Sequence, residues 1–164
     1  DKLDAKAVAF QFQQAVGRVL DVAGPLAGDT FNGLLFDSFE AGFQTWTKQM
    51  PAEFKARKGY DLRVWLPVLT GRIIRSRELS EAFLWDFRHV IEELLAENYF
   101  GVMHRLGAEH GLKIYSESQG GPLNPLSANR HVDVERRHRE RVLLRTARER
   151  ERHRITGIAV HLVG

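Results

Sequence analysis

Leu34-Leu35-Phe36-Asp37-Ser38-Phe39-Glu40 and Leu112-Lys113-Ile114-Tyr115-Ser116-Glu117 are two short apolar runs, each ending in a glutamate. Between them apolar residues recur at helical spacing, so the order reads strand, helices, strand. Strands joined through helices run the same way in a parallel sheet. Acidic side chains just past both carboxyl ends then converge on one face, where such folds keep their chemistry. The expected class is therefore α/β, with parallel strands and long helices.

The flanking sequence supports that order. Leu3, Val8, Phe12, Val16, Val19 and Leu20 form one face of an amphipathic helix that ends near Gly24-Pro25. A turn at Gly28-Asp29-Thr30 leads into a buried strand over 31–37, and a polar, aromatic loop fills 38–50. Pro51 opens a short helix over 52–58, with Gly59 as its stop, and a second short helix over 62–69 is broken around Pro67. Ser80 is the expected N-cap of the longest helix, which runs to about His110 with Phe83, Phe87, Val90, Ile91, Leu94, Met103 and Leu106 in its buried stripe. Gly111 stops it and the second strand follows; residues 131–134 can form a third. Trp65 and Trp85 fall in helical apolar patterns and read as packing residues.

A chain of 164 residues, 43% apolar and 27% charged, can bury a core. No run approaches the ~18 apolar residues of a membrane span, so no membrane partner is expected. The absence of cysteine excludes disulfides and thiolate metal sites. Asp1 replaces an initiating methionine and no secretion signal follows it, which fits a processed chain or one cut from something longer. The net charge of +3 comes from one region: residues 130–154 hold ten of the eighteen arginines.

A converging carboxylate pair is what acid/base cleavage of a glycosidic bond requires. Glu40 and Glu117 are the candidates for it, against the plainer role of solvated loop acids. Asp37 can orient Glu40 or a sugar hydroxyl, or close the loop backbone by a hydrogen bond. Trp46 can stack on the apolar face of a pyranose, or anchor its loop. Arg72 and Arg88 fit ion pairs better than substrate contacts. His104 and His110 are six apart and share no helix face, and the seven histidines show no zinc pattern. The metal ligands, if there are any, are unknown from sequence.

Several blocks share a recognisable order: Asp37-Ser38-Phe39-Glu40, Gln44-Thr45-Trp46-Thr47, the run from Glu53 to Asp61, Leu66-Pro67-Val68-Leu69-Thr70-Gly71-Arg72, Phe83-Leu84-Trp85-Asp86-Phe87-Arg88 and Gly111 to Glu117. Together they resemble the catalytic barrel of glycoside hydrolase family 106, the α-L-rhamnosidases and related enzymes. The resemblance implies a (β/α)8 TIM barrel within a larger secreted or periplasmic protein, cleaving terminal L-rhamnose from glycans with inversion and depending on calcium. By similarity Glu40 is the general acid and Glu117 belongs to the base side, with Asp37 and Trp46 as substrate-binding supports. Such a barrel takes about 250 residues, so residues 1–134 are expected to be a partial barrel whose remainder lies in a longer parent chain.

Past Val134 the family continues with a Pro-x-Gly-Glu-Phe-Trp-like segment, whereas this chain has Glu135-Arg136-Arg137-His138. Residues 135–164 therefore stand apart as an Arg-rich tail. Three readings apply to it: a frame-shifted continuation, which the abrupt end of the resemblance and the shift in composition favour; a solvated helix laced with i,i+4 charge pairs, or a disordered segment; or a nucleic-acid-binding helix. Interleaved Glu135, Glu140, Glu149 and Glu151, and the lack of stacking aromatics, argue against nucleic acid. The expected function is that of a glycosidase-like fragment, inactive in isolation if the barrel must be whole. The alternative is a non-catalytic carbohydrate-binding or structural α/β remnant.

Overall fold

Short β-rich runs bounded by turns become strands here because each has an apolar face to bury. The computed structural model describes residues 1–36, 44–116, 124–135 and 160–162. β1 (Gly33–Phe36) and β2 (Lys113–Ser116) lie side by side and parallel, with Leu34 opposite Ile114 and Phe36 opposite Ser116. β3 (Val134–Glu135) pairs in parallel with β2, and β4 (Val160–Leu162) with β1, giving the order β3-β2-β1-β4. The first three strands are those the sequence suggests, each shorter by a residue or more. β4 was not foreseen, because it follows a segment with almost no strand signal.

Helices cover one face of this sheet. α1 (Ala5–Phe12), capped by the Asp4 side chain on the Lys6 amide, continues through a π-helical turn (Gln13–Gly17) into α2 (Arg18–Ala23). The crossover between β1 and β2 contains α3 (Met50–Lys58), a 3-10 helix (Leu62–Thr70), α4 (Arg77–Leu94), a π-helical segment (Leu95–Gly101) and α5 (Val102–Glu109). α6 (Pro125–Asn129) precedes β3. Gly59, Gly71 and Gly111 take left-handed φ values of 83°, 85° and 70°, where a Cβ would be strained, and end three of these helices.

Three expectations need correction. The long helix is capped by Ser76, whose hydroxyl accepts from the Leu79 amide at 3.2 Å; Ser80 is buried in the first turn and bonds back to Ile74. Serines four apart offer the same cap chemistry, and the left-handed Arg75 (φ 61°) delivers the chain to the earlier one. The segment containing Pro67 is not broken but wound as a 3-10 helix. Trp85 is 71% exposed, because two residues past Phe83 places it about 200° around the helix from the buried stripe. Trp65 does pack, stacked on Phe83 at 6.0 Å.

Two apolar clusters result. Val8, Phe12 and Val16 of the first helix, Tyr99, Met103 and Leu106 pack on Leu34, Phe36 and Ile114 of the sheet. Met50, Phe54, Leu62, Phe83, Phe87, Ile91 and Leu94 join α3, the 3-10 helix and α4 into a second core. Among the described residues the opposite sheet face is sparsely covered: Leu35 and Tyr115 are half-buried and Lys113 is exposed, with the Tyr115 ring lying over Gly33. Parallel sheets are normally covered on both faces, so this side is the unusual one. Among the described residues no helix is long and apolar enough to cross a membrane.

Candidate functional site

The carboxyl ends of β1 and β2 are level, since Phe36 and Ser116 are register partners. Asp37 and Glu117 are the residues that follow the two strands in sequence, and Glu40 comes three after Asp37. Asp37, Glu40 and Glu117 all lie outside the described residues. Trp46 is described: it stands 43% exposed, and among the described residues neither core cluster includes it.

The segment carrying Trp46 is held by the start of the chain. Asp1 accepts hydrogen bonds from the Gln44 amide and, at 2.8 Å, from the hydroxyl of buried Thr47. The Lys2 backbone N–H donates to Gln44 Oε1 at 2.9 Å, and Asn98 in the π-helical segment donates to the Leu3 carbonyl at 2.8 Å. Gln49 Nε2 reaches Asp4 at 3.3 Å. The N-terminal residues thus lie between residues 44–49 and the π-helical segment Leu95–Gly101, sharing partners with both.

This arrangement brings Lys2 to the same end of the sheet. Its ammonium lies 5.1 Å from the centroid of the Tyr99 ring, which meets the Phe36 ring edge-on at 5.6 Å. Burial lowers the Lys2 pKa and pushes the Tyr99 hydroxyl up to about 12. Asp1, Lys2, Gln44 and Thr47 escaped the sequence reading. Their pairings span more than forty residues, and no local spacing signals them.

Other titratable clusters serve the scaffold. Arg57 meets Glu53, Glu93 and Glu97, the last at 2.6 Å. Tyr60 donates to Asp86 at 2.9 Å, and Lys58 lies 3.6 Å from the same carboxylate. His104 stands 3.6 Å from Asp133, whereas His110 stacks on Phe12, so the two histidines do not converge. Arg72 and Arg88 are exposed, and the ion pairs expected of them are not among those the described residues form. Among the described residues no three His, Asp or Glu side chains gather to hold a metal ion.

Comparison with known proteins places these features. A family model described as alpha-L-rhamnosidase matches residues 1–138. A protein of Formosa agariphila, provisionally named a beta-glucuronidase, is 37% identical over 134 residues, covering 82% of this chain and 12% of its own. The solved structure of a rhamnosidase from Novosphingobium sp. PP1Y superposes with a TM-score of 0.74 at 35% identity, over 81% of this chain and 13% of that one. The chain thus spans about an eighth of the length of these relatives.

Proposed function

We infer the function from one premise: the chain belongs to the alpha-L-rhamnosidase family. Its relatives are glycosidases by name, and the chain is similar to a section of them. On that basis residues 1–134 are part of a (β/α)8 barrel that hydrolyses terminal L-rhamnose from a glycan, and residues 135–164 are an Arg-rich tail that returns one short strand, β4, to the edge of β1. The observation that carries this reading is the pairing of β1 with β2, parallel and level at the carboxyl ends. Consecutive strands β1, β2 and β3 are also neighbours, with helices packed on one face. A singly wound barrel is built that way, whereas a doubly wound sheet puts helices on both sides.

In this mechanism Glu40 protonates the leaving oxygen as the sugar gains oxocarbenium character. Glu117, on the base side, positions or activates the water that attacks the opposite face. Inverting enzymes hold their carboxyl groups about 6.5–9.5 Å apart, wider than the ~4.8 Å between neighbouring strands. An acid set four residues beyond the end of β1, rather than at it, suits that wider gap. Asp37 orients Glu40 or a sugar hydroxyl, and Trp46 offers its exposed ring to the pyranose. Calcium is implied by the family resemblance alone, and none of the described residues is assigned to it. The parent protein is exported, where such glycans occur, and supplies the rest of the barrel.

One observation favours a second reading. β4 occupies the outer edge of β1, the edge that a closed barrel gives to a neighbouring barrel strand. A chain that covers its own edge could persist as a carbohydrate-binding or structural remnant. Hydrolysis of an aryl α-L-rhamnoside separates the two. Turnover that Glu40→Gln abolishes supports the glycosidase; L-rhamnose binding without turnover supports the remnant; neither binding nor turnover contradicts both.

A further inference from the structure

We propose that Asp1 is a positioning residue that holds Trp46 as a fixed aromatic platform for a sugar ring. The proposal rests on the rhamnosidase reading for the nature of the ligand, but its geometry stands by itself. The two oxygens of one carboxylate grip residues on either side of Trp46: Oδ1 takes the Gln44 amide and Oδ2 the Thr47 hydroxyl. Gln44 is held a second time, through its Oε1, by the Lys2 backbone. Thr47 is only 2% exposed while its neighbour Trp46 is 43% exposed, so the bridge is anchored and the indole is left outside it.

The plain alternative is that Asp1 merely closes its own turn, since Oδ1 also accepts from the Leu3 amide at 3.0 Å. That turn needs neither long-range bond. Residues 44–47 have no helical or strand hydrogen bonding of their own. A tryptophan on such a segment would sample many orientations, and each would have to be given up on binding a sugar. Ties on both sides remove that cost beforehand. Carbohydrate stacking needs a flat ring at a set angle, which a tied indole provides.

The hydrogen bonding predicts a specific rescue. A hydroxyl has one proton, and Thr47 Oγ1 lies 2.8 Å from Asp1 Oδ2 and 2.9 Å from Gln49 Oε1. In Asp1→Asn the new amide donates to Thr47, Thr47 donates to Gln49, and the remaining oxygen keeps Gln44. Asp1→Ala loses all of this.

The test labels the full chain with 5-fluorotryptophan and follows the fluorine resonances of Trp46, Trp65 and Trp85, with Trp46 assigned by its loss in Trp46→Phe. In Asp1→Ala the Trp46 signal is expected to move to the free amino acid position while the other two stay. Affinity for added L-rhamnose should fall about tenfold as the preorganisation is lost, and Asp1→Asn should restore both. An unmoved Trp46 signal in Asp1→Ala overturns the proposal. So does a joint shift of all three signals, which would mean that Asp1 only supports the fold. If L-rhamnose perturbs no wild-type resonance, the sugar-platform role fails together with the rhamnosidase reading, while a selective Asp1→Ala shift would still establish the clamp.

Discussion

Arg57 shows how single charges hold the crossover together. It sits between α3 and α4 with three carboxylates around it, doubly bonded to Glu97, and its pKa is raised by those acids against the cost of burial. Arg57→Ala would leave the acids facing one another and should lower stability by about 1–2 kcal/mol. Arg57→Lys should recover little, because an ammonium cannot make the two-point contact. Urea unfolding at low and high salt measures both. His131 gives a pH prediction. Burial first, then the nearby His104 and Arg130, lower its pKa below the ordinary 6.5, with Glu97 opposing them. The unfolded chain then binds the proton more tightly. Stability should fall as pH drops through about 6.5 toward the folded value and stay low beneath it. His131→Gln should flatten that limb in unfolding midpoints compared between about pH 7.5 and 5.

At the scale of elements, the turn from α5 into β2 is the tightest constraint. Gly111 has a φ of 70°, and a Cβ built on it would lie 3.1 Å from Gly28 Cα. Gly111→Ala therefore meets both backbone strain and a neighbouring main chain, and should cost about 2 kcal/mol or more in denaturant unfolding. Phe83→Ala, in the ring cluster with Phe54, Trp65 and Phe87, should cost about 3–5 kcal/mol. Both elements were legible in the sequence, because the Gly stop and the Phe83 stripe are local signals. Strands β1 to β3 were legible too, their apolar runs being bounded by turns, whereas β4 was not. What escaped was non-local. The choice of Ser76 over Ser80 was decided by the path of Arg75, and the exposure of Trp85 by which face α4 turns inward. The Asp1 clamp depends on two segments meeting only after the fold forms.

At the scale of the molecule, the described helices cover one side of the sheet. Its sparsely covered face carries Leu35, Tyr115 and Lys113, and the relatives it matches are about eight times longer. Removing β4 should leave the edge of β1 unpaired and increase self-association, which sedimentation of the chain ending at residue 135 would reveal. On the proposed reading residues 1–134 bring an acid and a base-side carboxylate to one barrel mouth. The most direct measurement replaces the matching section of the Novosphingobium rhamnosidase with these residues and follows hydrolysis of an aryl α-L-rhamnoside by proton NMR. The account predicts turnover with the inverted anomer formed first, reduced by about a thousandfold or more in Glu40→Gln and in Glu117→Gln. A folded chimera whose turnover is indifferent to both substitutions would contradict it.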